Sequence, residues 1–341
     1  MKSDDKSIRR WIWPVLGAGL ALAVLFYLYR GLDFSRFLAE LRRANPVWIL
    51  ALAGSILAEQ LIQGWKWRQL LYAIKPISSM RLMGAFLAGY GANALVPLGI
   101  SPLVRSWLVA RLEGLRMATV LVTTVISRFV DGIVFALIAG VVALAGQIPD
   151  IEGNVRGGLA WAGGLNFILF ALALGLLLRA APLLERDNAL VCRLIDWLAK
   201  RGGGRLDGLR SGLSDGIVWP RQMGRQSAII AASVMMKAVA ATNFLWAGLA
   251  VGVTLSVFDY LFLMVFAGFS LVLSRFVRIP GGFVIGSGFA MNILGVADEK
   301  ALAMILFSHV VSLLLVVGIG LVVLGRSGVK IRDLRAAAVG G

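Results

Sequence analysis

Several ionisable residues of this chain fall inside long apolar runs, where burial is costly and each becomes a candidate for function. Arg128 and Asp131 lie in the middle of the run 117–146. Their i, i+3 spacing puts both on one helix face. Two roles fit them: an ion pair joining two helices, or Arg128 binding a phosphate in a polar cavity while Asp131 orients it. Lys237 sits ten residues inside the run that starts at Ser227, further than its stem can snorkel. Its own helix holds no acid, so it needs Asp131 or Glu59 across helices, or a cavity with water or an anion. Glu59, beside Gln60 and Gln63, lies toward the end of the run 47–63. It either reaches the interface or serves a site. His309 reads as a core histidine ahead of a proton relay.

Two apolar segments are interrupted. The stretch 82–100 contains Gly84, Gly89, Gly91, Pro97 and Gly99, and the stretch 279–297 contains Pro280, Gly281, Gly282, Gly286, Gly288 and Gly295. Non-helical backbone at membrane depth persists only where protein buries it or it lines a wet cavity. A pair of broken segments in corresponding halves points to a transporter's substrate site. Helix ends exposed at such breaks favour an anion at the N-terminal side. Glycine-mediated close packing is the other explanation.

The elements that would position these residues are membrane helices. Hydrophobic types make up 59% of the 341 residues and charged types 15%, against roughly 25% charged in a soluble domain. With a mean hydropathy of +0.85, the composition excludes a soluble enzyme, a disordered chain and a secreted disulfide scaffold. The expected fold class is all-α: a polytopic helical membrane protein of about eight transmembrane helices, with one or two re-entrant segments. The apolar runs are 11–29, 47–63, 82–100, 117–146, 157–178, 227–250, 255–274, 279–297 and 301–324. The first reads as an uncleaved signal anchor. A single domain is expected over 1–341.

The net charge of +16 would suggest nucleic acid in a soluble protein. Here no nucleic-acid partner is expected, because the basic residues fall in short loops that orient the chain toward the cytoplasm. Stretches 64–81 and 102–116 read as basic inside loops, so 82–100 should dip in and return. Stretch 147–156 reads as outside and 180–226 as a basic inside loop with an amphipathic helix near 190–200. Both termini are then cytoplasmic if 279–297 crosses, in a bacterial inner membrane. Arg30, Arg36, Arg42 and Arg43 go against this assignment. Cys192 and His309 are each alone, so no cofactor or metal is expected, nor an enzyme's catalytic cluster.

At these motifs the chain resembles the flippase-like family, the membrane domain of lysylphosphatidylglycerol synthases (multiple peptide resistance factor) and stand-alone relatives that include hopanoid-associated transporters. Gln63-Gly64-Trp65-Lys66-Trp67-Arg68-Gln69-Leu70-Leu71 looks like the family's tryptophan-rich stretch. Asn93 through Pro97 to Arg105 looks like its Asn-x-x-x-Pro…Gly-Glu-x-x-Arg motif. Ser127-Arg128-Phe129-Val130-Asp131 looks like Glu-Arg-x-x-Asp, and Ile279-Pro280-Gly281-Gly282-Phe283 looks like the start of Pro-Gly-Gly-Leu-Gly-x-x-Glu. Ser101-Pro102, Ser127 and Ser287 stand where the family has acids. The resemblance covers about 10–325 and implies translocation of a lipid or lipid-linked head group between leaflets. With three acids replaced and Arg105, Arg128 and Lys237 kept, an anionic or neutral head group is expected.

The expected lipid-binding residues are Arg128, Asp131, Lys237, Arg105, Asn93, Pro97, Pro280, Gly281, Gly282, Ser127, Ser287 and Glu59, with Arg128, Lys237 and the breaks at Pro97 and Pro280 lining one cavity. No soluble synthase domain is expected to follow, so no aminoacyl transfer is expected. The competing classes are an integral-membrane enzyme acting on a lipid phosphate or sugar, and a non-transporting assembly partner. The partners are membrane lipids, and a homodimer is compatible with the sequence.

Overall fold

The computed structural model describes residues 30–95, 101–145, 153–185, 209–277 and 281–327, with single positions 19, 23, 26 and 148. Among the described residues every regular element is helical. In chain order these are α1 (Phe34–Arg43), α2 (Pro46–Leu71), α3 (Ser79–Leu95), α4 (Ser101–Glu113), α5 (Met117–Ala145) and α6 (Asn154–Glu185). There follow α7 (Leu209–Gly216), α8 (Met223–Ala250), α9 (Val257–Val277), α10 (Gly282–Ile293) and α11 (Asp298–Ser312). A π-helical turn (Leu313–Val317) leads into α12 (Gly318–Arg326). The expected anchor at 11–29 lies outside the described residues but for three positions. The amphipathic stretch near 190–200 and the prolines at 97 and 280 also lie outside them.

Among the described residues six helical stretches are long and apolar enough to cross a membrane: α2, α5, α6, α8, α9 and the continuous run Asp298–Arg326. The chain is a polytopic helical membrane protein. On α6 only 6% of the apolar window is buried, and Ile168, Leu169, Leu172 and Leu176 are exposed, as a lipid-facing helix requires.

Three readings of the sequence change. The run 47–63 extends to Leu71, so Lys66 and Arg68 are helical rather than in a loop. The cause is the apolar series beyond Gly64: Trp67, Leu70 and Leu71 are fully buried. The stretch 102–116, read as a basic loop, is mostly α4, with Val104, Arg105, Ser106, Leu108, Val109 and Ala110 buried. It packs along α3, so the described part of the broken segment, 82–95, is one arm of a helical hairpin. Gly89 permits the close approach, since a Cβ there would lie 2.8 Å from the Ser101 carbonyl oxygen. Finally, 279–297 is not a crossing by itself. Its helix α10 has 12 residues, about 18 Å at ~1.5 Å per residue, against ~30 Å of hydrocarbon. It folds back on α9, Gly282 meeting Ser274 and Gly286 meeting Ser270. Gly281 enters it with φ 79, in the left-handed region open to glycine.

The chain divides into two compact units. One holds 1–55, 137–163 and 237–311; the other holds 56–136, 164–236 and 312–341. The α9–α10 hairpin belongs to the first and the α3–α4 hairpin to the second. The second unit's core is built on Trp67, Leu71, Leu82, Phe86, Leu108, Val120 and Ile229. In it α12 crosses α3 where Gly91 meets Gly320.

Candidate functional site

Helix α2 carries Lys66 into the interior of its unit, where the side chain has no exposure. A charge there demands a partner, and it has one: Nζ donates to Asp131 Oδ1 on α5 and lies 3.4 Å from Ser233 Oγ on α8. Beside this pair Trp67 Nε1 donates to Thr123 Oγ1 at 3.0 Å, and Thr123 passes the bond to the Val120 carbonyl at 2.8 Å. The face of α5 that the sequence marked with Asp131 is thus a packed junction with α2.

This corrects the expected pairing. Asp131 holds Lys66, not Arg128. Three residues of helix separate the two directions by about 60°, enough to send Asp131 toward α2 and leave Arg128 exposed. Among the described residues Arg128 makes no hydrogen bond or ion pair.

Arg105 is placed by α4. Its side chain is 1% exposed. The guanidinium lies 4.4 Å from the centroid of the Phe86 ring on α3 and 6.0 Å from that of Trp67 on α2. Aromatic faces attract a cation, worth up to about 2 kcal/mol where water is excluded. They do not accept the in-plane N–H bonds: among the described residues Nε and Nη1 have no partner. Each unmet buried donor costs about 1–3 kcal/mol. One turn earlier on α4, Ser101 Oγ is also buried without a partner, and both residues face Gly89.

The remaining candidates separate by unit. With Arg105 lie Asn93, whose buried Oδ1 lacks a partner, the buried Ser127 and the half-buried Glu59. The other unit holds Lys237, half-buried on α8, Gly281 and Gly282 at the start of α10, and Ser287. The Ser287 hydroxyl is fully buried without a partner. His309 is not a core residue: it is exposed and stacks on Phe283 with ring centroids 5.7 Å apart. Lys66 and Ser101 were missed as site residues. The signal for Lys66 was available, because Gln60, Gln63, Trp67 and Leu70 continue a helical buried face past Gly64.

Residues 14–320 match the family model described as the lysylphosphatidylglycerol synthase TM region. The chain belongs to that family. Both hairpins, the Lys66–Asp131 pair and Arg105 fall within the matched range, and the family connects this multi-pass membrane protein with membrane lipid. No curated protein matches the chain.

Proposed function

We propose that this member of the family moves a lipid, or a lipid-linked head group, between the leaflets of a bacterial inner membrane, and that the head group is anionic and binds at Arg105. The observation that carries the reading is a guanidinium at 1% exposure with two nitrogens unpartnered. A phosphate offers the planar acceptor edge that such a fork lacks, and Ser101 adds a hydroxyl one turn away. A neutral aromatic cradle holds the cation without neutralising it, which leaves the charge for a ligand.

The element order supports a transport role. A long helix, a hairpin and a long helix occur as α2, α3–α4, α5, and again as α8, α9–α10, α11–α12. Repeated sets that contain broken helices are a recurring transporter plan. Loop charge favours a cytoplasmic base for α3–α4.

The test is leaflet exchange. In proteoliposomes, fluorescent phosphatidylglycerol should lose protection from a membrane-impermeant quencher faster with the protein than without. Arg105→Ala should abolish the gain while purifying as folded protein, and Arg105→Lys should restore only part, because an ammonium lacks the fork. A folded Arg105→Ala protein with the parent rate would remove the proposal.

A further inference from the structure

We infer that α1 is an in-plane helix that lies in the membrane surface and draws anionic lipid to its outer edge through Arg42. The inference stands apart from the reading of Arg105.

Three of the four arginines that the loop-charge pattern left unexplained, Arg36, Arg42 and Arg43, lie on this helix. Its apolar residues Phe34, Phe37, Leu38 and Leu41 fall at i, i+3, i+4 and i+7, which makes one stripe. Asp33 fixes the start, accepting from the backbone N–H groups of Ser35 at 2.9 Å and Arg36 at 3.1 Å. Its second oxygen holds the Arg36 guanidinium at 3.3 Å. The 10 residues of α1 make about 15 Å of helix, half the length of a crossing.

The neighbours of α1 set its depth. Ala44-Asn45 links it to α2, a helix long and apolar enough to cross the membrane from Pro46. The Asn45 N–H donates to the Ala250 carbonyl at the end of α8 at 2.9 Å. Trp48 of α2 stacks on Trp246 of α8, with ring centroids 5.6 Å apart and planes at 12°. Tryptophans collect where membrane helices leave the hydrocarbon. The start of α2 and the end of α8 therefore stand at one membrane–water boundary, and so short a link keeps the end of α1 within about 11 Å of it.

The protein covers only one edge of the stripe. Phe37 is 8% exposed, whereas Phe34 is 69% and Leu38 37% exposed. At about 100° per residue, Phe37 and Leu38 are its two edges. The helix thus meets the protein along Phe37 and turns Phe34 and Leu38 outward, at a depth where the surroundings are lipid. Charge follows the same division. Arg42 lies about 40° beyond Leu38, on the outward side, and Glu40 about 60° beyond Phe37, on the protein side, where it is half-buried. Arg42 is exposed, and among the described residues its side chain makes no hydrogen bond or ion pair. Its stem can run along the hydrocarbon beside Leu38 and set the charge at the level of the lipid phosphates. Arg43 points away from the stripe, toward water, and Arg36 is already held by Asp33. An apolar edge with a basic flank, its one helical acid turned inward, matches an anionic membrane surface.

The experiment uses the full chain with Cys192→Ser and one added cysteine, Phe34→Cys, Leu38→Cys or Arg43→Cys. Each is labelled with bimane and reconstituted in phosphatidylcholine vesicles. Lipid brominated in its acyl chains should quench the labels at 34 and 38, and aqueous iodide should quench the label at 43. With the label at 38, brominated phosphatidylglycerol should be enriched about fivefold over brominated phosphatidylcholine at equal mole fraction, the effect of one arginine at an anionic surface. Salt at about 1 M should remove most of that preference. Arg42→Gln should abolish it and leave the depth unchanged, while Arg42→Lys should keep most of it. Arg43→Gln is the comparison, because both arginines suit the negative end of the helix dipole and only Arg42 lies on the lipid edge; it should keep most of the preference.

Equal quenching by the two lipids in the parent overturns the inference, as does an equal loss of preference in Arg42→Gln and Arg43→Gln. Labels at 34 and 38 that iodide reaches and lipid does not would place the helix in water and overturn it. Labels there that neither reaches would mean that a second copy or another protein covers the face, which also overturns it.

Discussion

Lys66 and Asp131 are 65 positions apart in the chain and form a buried ion pair that ties α2 to α5. Neither charge could stay buried alone, and together they turn the midpoint of an apolar helix into a fixed junction.

Breaking the pair should be expensive and replacing it should be mild. Lys66→Met leaves the Asp131 carboxylate without the ammonium and should destabilise by about 3–5 kcal/mol. The double variant Lys66→Met/Asp131→Leu should recover most of that loss. Urea or detergent unfolding followed by tryptophan fluorescence reads both. Equal instability of the single and double variants would refute the account.

The crossing of α3 and α12 should tolerate no added atom. A Cβ on Gly91 would lie 2.7 Å from the Gly320 carbonyl carbon, and that obstacle is backbone, which cannot swing aside. Gly91→Ala should therefore cost about 1–3 kcal/mol, whereas Gly140→Ala, with open space around its Cβ, should be neutral or slightly stabilising on helix propensity. The comparison of the two melting temperatures is the measurement.

Acid should loosen the base of the α3–α4 hairpin. Glu113 at the end of α4 accepts from Lys75 at 2.9 Å and Arg81 at 3.0 Å, and the Lys75 ammonium also reaches its carbonyl at 2.7 Å. The hydrogen bond from Lys75, opposed by burial and aided by Arg81, holds the carboxyl below its usual value. A depressed carboxylate contributes stability that is present above its unfolded pKa and lost as pH falls through the folded one. Stability should fall on acidification below about pH 4.5, and Glu113→Gln should flatten that limb while lowering stability at neutral pH. High salt should shrink the difference, since Arg81 is exposed. An unchanged acid limb in Glu113→Gln would assign it elsewhere.

Much of this protein was legible in its residues. Composition decided the membrane, because a chain this apolar and this poor in charge cannot dissolve. The runs at 117–146, 227–250 and 255–274 located α5, α8 and α9 closely, since ~20 apolar residues have few other uses. The glycine and proline interruptions located both hairpins. Asp131 and Arg128 were marked as candidates because a charge inside an apolar run has to be explained, and Arg105 through the family motif that it ends.

Tertiary structure decided what those charges do. Loop or helix at 64–71 and at 102–113 turned on whether basic residues were solvated or packed, and local charge counting favours solvation. The fold instead buries Lys66 against an acid supplied by α5 and buries Arg105 against rings supplied by α2 and α3. Spacing along α5 suggested that Arg128 and Asp131 belong together. Only the packing of α2 against α5 could assign Asp131 to Lys66, because a buried carboxylate takes the cation with which it can be desolvated, and that partner comes from a distant part of the chain.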